Sequence, residues 1–538
     1  MPNKRGRTDS GIGKDDYNAV SELPSCSPPQ KGPQTGQFGR SNFGGVIVSG
    51  GSNNSNRSNN ASNNGQGRRT VSVKHPPTLK EEYLKNIAGL NKTFVDYCSS
   101  NSTSSDFIEA ARDYLSYARD LKATYRDSGL TSILTFGSGD CGQLAHGIDD
   151  DNEMIVSKPR KVMTLAHSSV RTISAGGLHN VACTNTGDVY TWGCNDDGSV
   201  GRQGEEEQLV MPQIVPGIKG ICGAAGDCQT IVVDGKGTVY MWGTYKDKEG
   251  KVFRDATDPK AIRGKNTKPE VTAIPASGGK IVELACGASY NVGRTENGSV
   301  WTWGLGECGE LGRKANEMKV NGEYDLEGIL RTQLTPAAPL FASVSEKRFV
   351  RRVGAGAYHL LVITVEGTSG GGVLWTCGLN NYGQLGLGDI EPRHELTCVS
   401  VLTGERVEDA DGGMHHSVCL TSDGKVFSFG RGDSGQLGVK DECEVGYCEE
   451  NPVKVALPGA KGIATSVSCG ANHNFIITNK NEVYSWGYGD MMALGHGRDR
   501  DENIPKLMKI DEKKFPGATV VTASGGGQHS AIIINQPK

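Results

Sequence analysis

A two-part motif occurs seven times between residue 131 and the last residue, and it constrains the fold more than any other feature. The first part is a strand-like run after a small-residue pair: "AGGLHNVAC" (175), "AGDCQTIVV" (225), "CGASYNVGR" (286), "AGAYHLLVI" (355), "GGMHHSVCL" (412), "CGANHNFII" (469) and "GGGQHSAII" (525). The second is a strand ending in Gly: "ILTFG" (133), "VYTWG" (189), "VYMWG" (239), "VWTWG" (300), "VLWTCG" (373), "VFSFG" (426) and "VYSWG" (483). A period of this length indicates a propeller or a solenoid.

The order of the two parts at the chain ends decides between these architectures. The series opens with "ILTFG", a second part, and closes with "GGGQHSAII", a first part. The two fragments complement each other within one blade, and such closure leaves no free sheet edge. The sequence therefore predicts an all-β, seven-bladed β-propeller over 131–538, and a closed propeller favours a monomer.

The first 75 residues have a different composition. Stretches such as "GGSNNSNRSNNASNNGQGRRT" offer almost nothing to bury, which predicts a disordered low-complexity tail over 1–75. Residues 1–74 carry ten Lys or Arg and four Asp or Glu, a balance of +6, so the net charge of −4 leaves −10 for the remainder. A basic tail on an acidic body indicates contact with a polyanion or an import signal. Its basic spots are Lys4, Arg5, Arg7, Arg68 and Arg69.

Residues 76–128 have helical periodicity. Thr78 with Glu81 forms a capping box ahead of apolar residues at helical spacing, and a second apolar stripe begins near Phe107. We predict a helical pair. It is similar to a segment of Ran-associated nucleoporins of the nuclear basket, which would make it a docking module. A generic helical hairpin packed on the propeller is the alternative.

Several function classes find no support in the sequence. The chain has no apolar run of about 18 residues that would span a membrane, and its first thirty residues lack the apolar core of a secretory signal. The 15 cysteines are scattered without C-x-x-C pairs, which favours buried, reduced thiols. No zinc spacing or catalytic triad stands out from the repeats. We therefore expect no metal, no cofactor and no covalent chemistry.

One repeat departs from the series. Where other copies have compact glycine turns such as "WGCNDDGSVGR", the third copy of the second part reads "WGTYKDKEGKVF". The central "KDKEGK" predicts a Gly-centred reversal, and Tyr245, Val252 and Phe253 are expected to offer apolar contact to a partner. A merely tolerated surface insertion is the alternative. The predicted projection consists of Tyr245, Lys246, Asp247, Lys248, Glu249, Gly250, Lys251, Val252 and Phe253.

These motifs resemble the regulator of chromosome condensation family, whose G-x-G-D-x-G-Q-L-G signature is matched by "GSGDCGQL" at 137. The resemblance covers about 131–538. It implies a nuclear, chromatin-associated guanine-nucleotide exchange factor for a Ran-type small GTPase, producing the GTP-bound form for nucleocytoplasmic transport and mitosis. It also implies that "TYKDKEGKVF" is the β-wedge pushed into the GTPase. The implied partners are the GTPase, chromatin through DNA or the histones of the acidic patch, and an import receptor or nuclear-basket nucleoporin.

The resemblance also implies individual site residues. Asp227 falls on the family's key acidic position, where Gly and Ala recur among the copies. Ser289 stands where the family has a second acid, and Arg313 matches a family arginine near the GTPase. His415 and His529 match GTPase-contacting histidines, although a repeated histidine also serves to tie blades together. The segment after Arg313 is the candidate histone loop.

Two other function classes remain. The runner-up is a non-catalytic propeller scaffold that binds a protein partner or chromatin, which the absence of an acid at Ser289 favours. A tryptophan-based light sensor is disfavoured because only six tryptophans are present, most of them at the structural Trp-Gly position.

Overall fold

The computed structural model describes residues 131–147, 154–166, 168–275, 279–343, 348–366 and 371–537. Within these residues seven antiparallel sheets follow one another around a central channel, so the predicted seven-bladed β-propeller is confirmed. The predicted tail and helical pair, with their basic residues, lie outside the described residues. In the described part, no helix is both long and apolar enough to cross a membrane.

We number the blades by the chain order of their inner strands, and strands are given from the channel outwards. Blade 1 contains Val170–Ala175, His179–Thr184, Val189–Gly193 and Gln213–Ile214. Blade 2 contains Cys222–Ala225, Gln229–Val233, Val239–Gly243 and Asn266–Thr272. Blade 3 contains Ile281–Cys286, Tyr290–Thr295 and Val300–Gly304. Blade 4 contains Phe349–Ala355, His359–Glu366, Gly371–Gly378 and Arg393–Cys398.

The remaining blades and short elements complete the ring. Blade 5 contains Val407–Gly412, His416–Thr421, Val426–Arg431 and Cys448–Val455. Blade 6 contains Ala464–Cys469, His473–Thr478, Val483–Gly487 and Glu502–Met508. Blade 7 contains Thr519–Gly525, His529–Asn535, Thr131–Ser138 and Ile155–Lys161. Short helical turns span Met163–Leu165, Glu206–Leu209, Pro259–Ala261, Leu326–Ile329, Leu330–Leu334, Ser400–Leu402 and Asp490–Met492.

Blade 7 closes the ring as the chain order of the motifs predicts. Thr131–Ser138 pairs antiparallel with His529–Asn535, from Thr131 opposite Asn535 to Gly137 opposite His529. This ladder joins the first described strand to the last, so the ring is held by backbone hydrogen bonds within one sheet.

The aromatic-Gly pair recurs because both residues have a packing role. Trp242 is fully buried, and its indole Nε1 donates to the carbonyl of Ser199 in the turn of the preceding blade at 2.7 Å. Gly243 has a φ of +93°, and a Cβ there would lie 2.2 Å from the carbonyl oxygen of Cys228. No other residue tolerates both conditions.

The repeated histidine links neighbouring blades. Its Nε2 lies 2.8–3.0 Å from a hydroxyl or amide oxygen of the next blade, in the pairs His179–Thr230, His359–Ser417, His416–Asn474, His473–Ser530 and His529–Asn180. Gln229 and Tyr290 occupy the position in blades 2 and 3 and bond to carbonyls of the following blade. His529 is therefore a buried inter-blade residue, and the prediction that it contacts a GTPase is wrong.

Candidate functional site

The candidate site lies on the face where the loops between inner and second strands meet the turns that follow the third strands. The inner strands line a central cavity of about 390 Å³, whose lining includes Asp227. The departing repeat rises from blade 2 on this face, because it follows the third strand Val239–Gly243.

The departing repeat forms a two-stranded hairpin, which we call the wedge hairpin (residues 245–253). Tyr245–Lys246 pairs antiparallel with Val252–Phe253. The Gly250 amide donates to the Asp247 carbonyl at 2.9 Å, and Gly250 has a φ of +75°. The Asp247 carboxylate accepts from the amides of Glu249 (2.9 Å) and Lys251 (2.7 Å), which fixes the turn from inside. The predicted Gly-centred reversal is confirmed.

The aromatic residues of the wedge hairpin anchor its base and are not exposed. Tyr245 and Phe253 are both fully buried in the core between blades 2 and 3. The Tyr245 hydroxyl donates to Asp255 at 2.8 Å, and burial raises the pKa of that carboxyl to about 6. The expectation that these two rings offer apolar contact to a partner is wrong, since only the charged tip, Lys248 to Lys251, is exposed.

Ser289 fastens the wedge hairpin to blade 3. Its hydroxyl accepts from the Lys246 amide at 3.0 Å and donates to the Lys246 carbonyl at 2.8 Å. The Lys246 ammonium is bound to Asp197 of the blade 1 turn at 2.6 Å. A serine suits this position because one hydroxyl both donates and accepts, which an ionised carboxylate does not do.

A second hairpin packs against the wedge hairpin. Lys319–Val320 pairs with Glu323–Tyr324 across an Asn-Gly turn, and we call residues 319–324 the blade 3 hairpin. Lys319 Nζ lies 2.5 and 2.7 Å from the two carboxylate oxygens of Glu249. The Tyr324 hydroxyl donates to Asp247 Oδ2 at 2.7 Å. Sequence reasoning missed this hairpin, although "VNGEY" carries its turn signal.

Asp227 lies at the rim of the channel beside the wedge hairpin. Its side chain keeps solvent contact, yet the walls of the channel mouth displace enough water to raise the pKa of its carboxyl, and Lys246 opposes that shift. A Cβ on Gly177 of blade 1 would lie 3.4 Å from Asp227 Oδ1. The structure thus brings the predicted acid and the predicted wedge together.

Comparisons with known proteins identify the family. The model of the RCC1-like domain matches residues 132–532. The chain belongs to the regulator of chromosome condensation (RCC1) family. The human protein named Regulator of chromosome condensation is 30% identical over 78% of this chain and 95% of its own length. The yeast Guanine nucleotide exchange factor SRM1 is 27% identical over 80% of this chain and 91% of its own.

A solved structure extends the RCC1-family likeness to three dimensions. Yeast Prp20p has a TM-score of 0.67 at 25% identity, covering 78% of this chain and 95% of its own, and was described with its binding to Gsp1p and histones. An Arabidopsis ultraviolet-B receptor also matches, 29% identical over 70% of this chain and 77% of its own length. Family membership therefore fixes the fold and leaves more than one activity open.

Arg313, carried over from the RCC1 family, is buried within blade 3. Its guanidinium donates to the carbonyls of Thr302 (3.0 Å), Thr335 (3.3 Å) and Ala337 (3.3 Å). Arg202 makes the same kind of contacts in blade 1, including the Thr191 carbonyl at 2.9 Å. Both arginines hold an irregular segment against a third strand. The prediction that Arg313 contacts a GTPase is wrong, because its donors are used inside the fold.

His415 differs from the repeated histidines. It precedes the inter-blade His416 by one residue and lies half-buried at the rim, with its ring centroid 5.0 Å from that of Tyr382 and 6.2 Å from that of Tyr358. Burial, reinforced by Arg431, lowers the pKa of His415 to about 4. The ring is therefore neutral at physiological pH and contributes hydrogen bonding and stacking.

Proposed function

We propose that this RCC1-family propeller is a guanine-nucleotide exchange factor for a Ran-type small GTPase and acts on chromatin in the nucleus. The wedge hairpin carries the proposal: it replaces the compact turn of the other blades, and its tip is charged and exposed beside Asp227. The names of the yeast relative and of the Prp20p study support the same activity.

Exchange requires binding energy and no covalent step. The GTPase would bind across the channel mouth so that the wedge tip enters the region that holds phosphate and Mg²⁺. A carboxylate such as Asp227 would compete there for the cationic groups that hold phosphate. Because the coupling is reciprocal, nucleotide binding to the GTPase would weaken the exchange factor's grip to the same degree.

The chromatin role is proposed on other parts of the chain. Lys4, Arg5, Arg7, Arg68 and Arg69 would contact DNA phosphates or an import receptor, and the DNA contacts would weaken with salt. The candidate histone loop after Arg313 instead forms the blade 3 hairpin, with Lys319 paired to Glu249. We therefore assign chromatin contact to the amino-terminal region.

Release of fluorescent GDP from a Ran-type GTPase tests the exchange proposal. One variant replaces Lys248, Glu249 and Lys251 with serine while Asp227 is kept, and another is Asp227→Asn. We expect each to reduce the acceleration at least tenfold without changing the unfolding midpoint. The matched control is Lys236→Ser, which alters an exposed lysine in the turn at the opposite face of blade 2. Wild-type protein that leaves release unchanged would overturn the proposal.

A non-catalytic scaffold is the second candidate, and a specific observation favours it. Three carried-over residues serve the fold or the wedge hairpin: Arg313 caps carbonyls, His529 links blades and Ser289 holds Lys246. A propeller that kept the binding face alone would bind the GTPase without releasing GDP. Binding measured by calorimetry, together with unaccelerated release, would establish that function.

A further inference from the structure

Blade 3 lacks a regular fourth strand, and the chain there builds the blade 3 hairpin instead. The sheet has three strands, and its outer edge is met only by a bridge between Thr302 and Ala337. Arg313 holds this edge by donating to carbonyls of the incoming segment. The segment between residues 314 and 335 is thereby freed from the sheet and lies over the wedge hairpin.

The contact between the two hairpins combines charge, hydrogen bonding and ring packing. Besides the Lys319–Glu249 ion pair and the Tyr324–Asp247 hydrogen bond, the Tyr324 ring meets Phe253 edge-on, with centroids 5.6 Å apart. Arg263 lies over both rings, 4.5 Å from the Phe253 centroid and 4.9 Å from that of Tyr324. The Lys319 contact lowers the pKa of Glu249, so the pair stays ionised at neutral pH.

Asp247 is the point at which this contact acts on the wedge tip. Its Oδ1 fixes the turn through the Glu249 and Lys251 amides, and its Oδ2 accepts from Tyr324. Asp247 is only 6% exposed, so this carboxylate has little water to replace a lost partner. Removing the Tyr324 hydroxyl would free the group that holds the turn.

We propose that Tyr324 and Lys319 are positioning residues that hold the wedge hairpin in the conformation that engages the GTPase. The inference rests on the proposed exchange function and assigns the blade 3 hairpin to that machinery. Neither residue needs to touch the GTPase. A wedge ordered in advance loses less conformational entropy on entering its partner, so more of the contact energy serves nucleotide release.

The effect belongs mainly to kcat. The wedge is used fully only when nucleotide leaves, so disorder in the wedge costs more in that transition state than in the initial encounter. A hydrogen bond to a charged group is strong enough for its loss to change a rate by about tenfold. The Lys319–Glu249 pair is partly exposed, and we expect about threefold from its loss.

The experiment measures GDP release and amide hydrogen exchange of the wedge peptide on the full-length protein. Tyr324→Phe removes one hydroxyl and keeps the ring, and Lys319→Gln removes the charge. Lys319→Arg is the conservative rescue. Tyr447→Phe is the matched control, because the Tyr447 hydroxyl also donates to a carboxylate, Glu449 at 2.6 Å, beneath a lysine, Lys440, in blade 5.

We expect Tyr324→Phe to lower kcat about tenfold with KM changed less than twofold, and to speed exchange of the amides of residues 246–252. Lys319→Arg and Tyr447→Phe should match wild type, and the unfolding midpoint should stay unchanged. Wild-type kcat and wild-type wedge protection in Tyr324→Phe would overturn the inference while exchange activity stands. A matching fall in overall stability would show a merely structural role. Unaccelerated release by wild type would overturn the exchange function and this inference with it.

Discussion

The inter-blade histidines should make the propeller sensitive to mild acid, and His473 allows a quantitative test. It is fully enclosed, its Nε2 lies 2.8 Å from Ser530 Oγ, and burial lowers its pKa to about 3. The group is thus neutral when folded and has a pKa near 6.5 when unfolded. Its contribution to stability is complete above about pH 6.5 and is lost progressively as pH falls towards 3.

The magnitude follows from the two pKa values. At pH 5 the unfolded histidine is about 97% protonated and the folded one about 1%, which favours unfolding by about 2 kcal/mol, against about 0.2 kcal/mol at pH 7. The same reasoning applies to His179 and His416, with pKa values of about 4, and to His359 and His529, at about 3. Buried carboxyls with raised pKa values oppose the effect, Asp411 at about 7 and Glu310 at about 8.

A variant isolates one histidine from these opposing groups. His473→Gln is chosen because Gln229 occupies the same position in blade 2 and bonds to the Gly287 carbonyl at 3.1 Å. Urea unfolding of both proteins at pH 7, 6 and 5 gives the free-energy difference between them. We expect the deficit of the variant at pH 7 to shrink by about 2 kcal/mol at pH 5. A difference that stays constant over this range would refute the reasoning.

Three further substitutions test the corrected residue roles. Arg313→Ala should destabilise the protein by about 3 kcal/mol in urea unfolding, because buried carbonyls lose a charged donor, and Arg202→Ala should behave alike; a loss of exchange without a loss of stability would contradict this role. Ser289→Ala and Ser289→Asp should both slow GDP release about fivefold, since neither side chain can accept from the Lys246 amide and donate to its carbonyl; faster release by Ser289→Asp would instead show that the family acid acts chemically. Phe253→Ala should cost about 3–5 kcal/mol in urea unfolding as a fully buried ring; a cost below about 1 kcal/mol would restore Phe253 as an exposed contact residue.

The fold could be predicted because each blade repeats the same physical requirements. Trp-Gly recurs since the indole reaches back to the preceding blade and the glycine carries a backbone conformation that a Cβ would block, as at Trp242 and Gly243. The chain order of the motif parts also fixed the closing ladder of blade 7. Seven copies provide seven independent readings of one pattern, so local ambiguity cancels.

The wedge contacts could not be predicted in the same way because they join segments far apart in the chain. Tyr324 meets Asp247, and Ser289 meets Lys246, through geometry that no repeat position announces. The aromatic letters of "TYKDKEGKVF" indicated a contact surface, yet burial depends on the neighbouring blade. Tyr245 and Phe253 lie under residues from blade 3, so the sequence alone assigned them to the wrong side of the hairpin.

Comparison of equivalent positions around the ring separates fold from function. The position of His529 recurs in five blades and that of Arg313 in two, and both residues satisfy the fold where they recur. Asp227 and His415 occupy rim positions that differ from blade to blade, and no inter-blade bond requires their identity. The wedge hairpin departs most of all, and blade 3 gives up a regular outer strand beside it. A structural requirement alone would have kept the compact turn and the fourth strand, so selection on this face must come from a partner.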